Sequence, residues 1–127
     1  MTETQSNTYE LAGGRPTFER LAREFYARAV QDPVLLPLYP PESLLEAEVH
    51  LALFMMQYFG GPRMYNDLRG HPRLRMRHVP FRIGQPERDA WVKNMLEALE
   101  TLDVPEPAHS EMQEYFERAA TFLMNHP

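Results

Sequence analysis

The chain has 127 residues, 43% of them hydrophobic and 24% charged, with a net charge of −5 at pH 7 and no cysteine. That length and apolar content suit one compact domain, and the lack of thiols excludes disulfides, thiolate metal centres, iron–sulfur clusters and cysteine nucleophiles. No apolar run approaches the ~20 residues that span a bilayer, and MTETQSNTYE shows no basic region followed by an apolar stretch, so neither an integral membrane segment nor a signal peptide is expected, and a cytoplasmic setting is.

Residues 1–10 are polar and carry no periodic pattern, and residues 1–12 are expected to form a flexible tail, with a single domain over 13–127. Gly13-Gly14-Arg15-Pro16 reads as a turn. From Thr17, a plausible N-cap, Phe18, Leu21, Ala22, Phe25 and Ala29 repeat with helical spacing. Pro33 stops that helix, and a proline-punctuated connection follows to Pro41. Ser43-Leu44-Leu45-Glu46 has the form of a capping box, and the next helix places Ala47, Leu51, Phe54, Met55 and Tyr58 on one face. Gly60-Gly61-Pro62 ends it.

Residues 63–85 differ from the rest. They hold few apolar side chains, many arginines and two internal prolines, so only a short helix is expected, from Pro72 at a first helical position to about Val79. Pro86 opens another helix, with Glu87 in its first turn and Trp91, Met95, Ala98, Leu99 and Leu102 on the buried face. The last helix, about 108–125, buries Met112, Tyr115, Phe116, Ala119, Phe122 and Leu123. No repeat and no convincing strand pair is found, so the chain reads as all-α. A plain helical bundle has no need of some twenty poorly structured residues in its middle. A large bound cofactor would hold such a stretch in place.

Charge is concentrated in the same place. Residues 63–82 hold Arg63, Arg69, Arg73, Arg75, Arg77 and Arg82 against the single acid Asp67, so they carry +5 while the remainder of the chain carries −10. A local basic patch on an acidic protein argues against nucleic-acid binding. It fits a solvated face or a small anionic group such as a carboxylate or phosphate.

Among the histidines His50, His71, His78, His109 and His126, a solvated or hydrogen-bonded role is the ordinary one. His78 stands apart because it follows Leu74 by one helical turn and has apolar flanks in Val79 and Phe81. An axial haem ligand needs one ring nitrogen on iron and the other held by a backbone carbonyl. Arg77, beside it, is the first choice for a propionate partner. Tyr26, Tyr39 and Trp91 are ordinary core aromatics unless they converge. Convergence would set two hydroxyls and an indole N–H in one apolar cavity, which is costly unless they serve a ligand. The methionines are gap-filling core residues by default. No phosphate loop, nucleophile elbow or HExxH zinc motif is present.

The order of these features resembles the group II truncated haemoglobins from about residue 13 to residue 124. The resemblance rests on Phe25-Tyr26-Ala27, Leu38-Tyr39-Pro40, Tyr58-Phe59-Gly60-Gly61-Pro62, Glu87-Arg88-Asp89-Ala90-Trp91 and above all Gly70-His71-Pro72-Arg73-Leu74-Arg75-Met76-Arg77-His78-Val79-Pro80-Phe81. It implies a two-over-two helical sandwich around haem b, with His78 as the proximal ligand. Tyr26 matches the distal tyrosine that donates to the bound ligand, and Tyr39 and Trp91 match the other polar members of that pocket. Ala47 stands where many globins carry a distal histidine. Ala47, Leu51, Phe54, Leu74, Arg77, Phe81 and Met95 are the expected haem contacts. Phe59 replaces a tryptophan common in the group, and His50 stands where some members carry a basic propionate partner. The function implied is reversible binding of O2 and other diatomic ligands (NO, CO) with slow O2 release. The alternative is a haem-dependent redox enzyme, a nitric-oxide dioxygenase or a peroxidase-like protein, served by a separate reductase.

Overall fold

A computed structural model describes residues 7–71, 73–78 and 80–126, without the side chain of residue 75. Seven α-helices occur among them, and no strand: α1 (Thr8–Ala12), α2 (Arg15–Ala29), α3 (Leu44–Tyr58), α4 (Met64–Arg69), α5 (Leu74–Arg77), α6 (Gln85–Glu100) and α7 (Ala108–Phe122). Two 3₁₀ turns, Leu36–Leu38 and Pro41–Ser43, lie in the connection between α2 and α3. None of the described helices is long and apolar enough to cross a membrane.

The helices pack as two pairs. α2 lies against α3, α6 lies against α7, and α2 crosses α6 to join the pairs, giving the expected two-over-two sandwich. The reason is visible in α2, whose Phe18, Leu21, Ala22 and Phe25 are fully buried at i, i+3, i+4 and i+7. From the other pair Met95, Ala98 and Leu99 of α6 and Met112 and Phe116 of α7 complete the core.

Several expectations need correction. The flexible tail does not extend to residue 12: Thr8–Ala12 is helical, capped by the Asn7 side chain. A five-residue helix cannot stand alone. Here Tyr9 stacks on Phe18 at 5.7 Å, and its backbone N–H donates to Phe59 O. Gly13 ends α1 at φ 120°, and an added Cβ there would collide with Thr17 Oγ1. Thr17 is therefore not an N-cap. α2 begins at Arg15, and the Thr17 hydroxyl donates to Ala12 O. Ser43 precedes α3, but its hydroxyl donates to Pro40 O, so the capping box does not form.

The stretch 63–85 holds two helices, not one. α4 is the addition, and its Tyr65 is buried. Pro72 and Val79 lie outside the described residues, and the short helix between them runs from Leu74 to Arg77. At the other end of the chain Phe122 is 56% exposed, and Ala120 takes the buried position in that turn.

Candidate functional site

α3 carries two apolar faces. Ala52, Leu53, Met55 and Met56 face the core, while Ala47, His50, Leu51 and Phe54 face a cleft of about 550 Å³. Tyr26 of α2, Leu38 and Tyr39 of the connection, and Tyr65 and Arg69 of α4 continue the wall. Leu74, Met76 and Arg77 of α5, followed by His78, Pro80 and Phe81, complete it. The volume lies within the range of about 300–1,000 Å³ usual for small-molecule and cofactor pockets. A second cavity of about 110 Å³ shares Leu38, Tyr39, His78 and Phe81 with the first, and Trp91 of α6 lines it.

His78 sits in the turn that ends α5. Its backbone N–H donates to Leu74 O at 3.1 Å, and its ring Nδ1 lies 2.6 Å from the same oxygen. A carbonyl oxygen only accepts, so Nδ1 is the donor in this contact, which leaves Nε2 as the ring nitrogen for a metal. The arrangement gives an imidazole oriented by the backbone of its own helix at the wall of a largely apolar cleft. It is the donor geometry that an iron ligand requires.

The aromatic residues converge around Phe25. Its ring lies 5.0 Å from Tyr26, 6.3 Å from Tyr39 and 5.5 Å from Trp91, and Tyr26 meets Tyr39 edge-on at 5.2 Å. Burial pushes the Tyr26 hydroxyl well above the ordinary tyrosine range, with smaller contributions from Tyr39 and Glu48. Burial does the same for Tyr39, partly opposed by an interaction with the Trp91 side chain. The Tyr26 hydroxyl makes no hydrogen bond to any other described residue, and it faces the cleft. A half-buried donor with no protein partner is the mark of a ligand site.

Among the described side chains, Arg69 and Arg77 border the cleft. Arg69 lies over the Tyr65 ring at 5.7 Å. Arg77 lies over the same ring at 6.0 Å and donates to Arg69 O. His50 stands nearby, its pKa lowered first by partial burial and then by Arg69, against an opposite pull from Glu46, with Arg77 adding to the decrease. A lowered histidine is neutral at pH 7, so the positive charge at this edge comes from the arginines.

Nine of the expected site residues line the larger cleft: Tyr26, Tyr39, Ala47, Leu51, Phe54, Leu74, Arg77, His78 and Phe81. Two do not. Trp91 lines the smaller cavity, one ring removed from Tyr26. Met95 is 0% exposed in the core and borders neither cavity, because one helical turn beyond Trp91 the face of α6 has passed from the site into the packing against α2 and α7. The sequence reading did not single out Leu38, Tyr65 and Pro80. Tyr65 had a signal in the Met64, Tyr65, Leu68 spacing, whereas Leu38 ends a three-residue 3₁₀ turn and Pro80 lies between helices, where there is no period to read.

The chain's similarity to known proteins runs nearly end to end. The model of the bacterial-like globin family matches residues 7–125. The group 2 truncated hemoglobin YjbI of Bacillus subtilis (strain 168) is 37% identical over 100 residues, 79% of this chain and 74% of that protein. The hemoglobin of the thermophilic phototrophic bacterium Chloroflexus aurantiacus superposes with a TM-score of 0.93 at 53% identity, covering 96% of this chain and all (100%) of that one. The group II truncated hemoglobin of Bacillus anthracis gives 0.93 at 31% identity, over 98% of this chain and 95% of that one.

Proposed function

The chain belongs to the bacterial-like globin family, in its group II truncated haemoglobin branch, and from that premise we propose that it is a haem b protein reversibly binding O2, NO, CO or related diatomic ligands, with slow O2 release. The observation that carries the reading is the His78 imidazole, its Nδ1 tied to Leu74 O at 2.6 Å at the wall of the cleft. The rest of the lining fits the same group. Leu51, Phe54, Leu74 and Phe81 offer apolar surface to a flat macrocycle, and Arg69 and Arg77 offer charge to its two carboxylates. The unpartnered Tyr26 hydroxyl fits a small polar ligand beside it.

Haem supplies a ferrous iron that takes up and releases diatomic ligands. The protein's part is orientation and hydrogen bonding. With haem bound, His78 would hold the iron through Nε2, Ala47 would leave room in the cleft wall, and Tyr26 would donate to the electron-rich end of a bound ligand. Such a donor slows O2 release. The raised Tyr26 pKa keeps that proton in place throughout the neutral range. Any redox turnover at this site would draw electrons from a separate reductase, since the sequence contains no flavin or nicotinamide motif. A cytoplasmic location is part of the proposal. The test is the absorption spectrum of the purified protein: a Soret band with one haem per chain supports the reading, and a chain that neither carries haem nor binds it on addition overturns it.

A further inference from the structure

We propose that Asn125, in the segment after α7, is a positioning residue for His78: its side chain latches the backbone at His78, Phe81 and Ile83 and so fixes where the imidazole meets the iron. The inference rests on the reading of His78 as the iron ligand.

The segment from His78 to Gly84 needs such a latch. α5 is only four residues long and ends at Arg77, and the next helix begins at Gln85. A helix of one turn has no stability of its own, and the carbonyls at its end have no helical partner. His78 O already accepts from Phe81 N at 3.0 Å, and among the described residues of that turn none bonds Phe81 O or either backbone group of Ile83.

Asn125 supplies what is missing. Its Nδ2 donates to Phe81 O at 2.8 Å and to His78 O at 3.3 Å. Its Oδ1 accepts from Ile83 N at 2.9 Å, and its own backbone N–H donates to Ile83 O at 2.8 Å. The flat amide thus reaches His78, Phe81 and Ile83 through both its nitrogen and its oxygen, and the oxygen also lies 2.6 Å from His126 Nδ1. The orientation of the amide is fixed chemically, because carbonyls require the nitrogen and the Ile83 N–H requires the oxygen. Aspartate has the same shape but cannot donate, and alanine can do neither.

A latch of this kind differs from a simple staple of the chain's last described residues. Thr8 Oγ1 donates to Glu111 Oε1 and ties α7 to α1 without touching the 78–83 segment. The groups that orient a metal ligand set its bond geometry and the affinity for the metal group, commonly by 10- to 100-fold. A staple sets stability alone.

The test compares wild type, Asn125→Ala, Asn125→Asp and Thr8→Ala as ferrous, ligand-free holoproteins. The iron–histidine stretching band is read by resonance Raman, and haem transfer to apomyoglobin gives the release rate. Asn125→Ala and Asn125→Asp are expected to shift or broaden the band and to release haem about ten-fold faster, while Thr8→Ala keeps the wild-type band and rate. An Asn125→Ala protein with a lowered melting temperature but unchanged band and rate makes Asn125 a staple and overturns the latch. So does Asn125→Asp behaving as wild type, because its donors are gone. A band that persists unchanged in His78→Gly sinks the ligand assignment itself, a separate failure.

Discussion

Replacing Tyr26 by phenylalanine removes one hydroxyl from the cleft and nothing else. The ring keeps its edge contacts with Phe25 and Tyr39 at 5.0 and 5.2 Å. The hydroxyl holds no other described residue, so the fold should hardly notice its loss. A change within about 1 kcal/mol is expected, which for a domain of this size is a melting shift of no more than about 4 °C. Ligand release should notice. A hydrogen bond to a strongly polarised acceptor is worth about 1.5–3 kcal/mol. At about 1.4 kcal/mol per factor of ten, O2 dissociation should quicken about 10- to 150-fold. Carbon monoxide carries less negative charge on its terminal oxygen, so its release should change far less. The assay is stopped-flow displacement of O2 by CO, and of CO by NO, beside thermal unfolding followed by circular dichroism. A large loss of stability, or equal changes for the two ligands, would show that the hydroxyl is structural and refute the reasoning.

Two further outcomes follow from the same cluster. Trp91 reaches the ligand side through Tyr39, since it lines the smaller cavity with that residue and not the larger one. Trp91→Phe should therefore raise O2 dissociation less than Tyr26→Phe does, and combining it with Tyr39→Phe should add little to either single change; full additivity in that double-mutant cycle would contradict the shared route. The second outcome concerns pH. Burial raises the pKa of Tyr26, Tyr39 and Tyr115 in the folded protein. The unfolded chain ionises these groups near pH 10 and the folded chain does not, so stability is intact below pH 10 and falls as pH rises beyond it. Each such tyrosine contributes a slope of up to about 1.4 kcal/mol per pH unit. Denaturant melts between pH 8 and 11.5 should show a shallower alkaline decline for Tyr39→Phe, and an unchanged slope would contradict the burial argument.

How much of this was legible in the sequence varies with the kind of force involved. Helices that bury a stripe announced themselves: the Phe18, Leu21, Phe25 spacing of α2 is one core face, and proline and glycine marked where α2 and α3 end. The short helices did not. α1 exists because Tyr9 stacks on Phe18 and bonds to Phe59 O, partners 9 and 50 positions away. α4 is six residues whose Tyr65 edge meets Phe54 at 5.6 Å. Such contacts leave no period in the sequence. Ser43 shows a correct local signal overruled, since Pro40 O lies nearer to hand than the helix amides. In the site, Tyr26 and His78 could be picked from family resemblance and from the Leu74 spacing. Met95 lines neither cavity, and periodicity could not have told, because it reports burial, and burial in the core looks the same as burial against a cofactor. Asn125 was invisible, because four of its bonds reach back 42 to 47 positions.

The central claim is that His78 holds the iron, and one substitution tests it directly. His78→Gly removes the imidazole tied to Leu74 O and leaves a space of its shape beside the cleft. The haem spectrum of that protein, recorded before and after adding free imidazole, is the measurement. The account predicts that normal haem retention is lost and that added imidazole restores part of it, with a wild-type-like Soret band. If His78→Gly keeps the wild-type spectrum while His50→Gly or His71→Gly loses it, the iron is held elsewhere and the account fails.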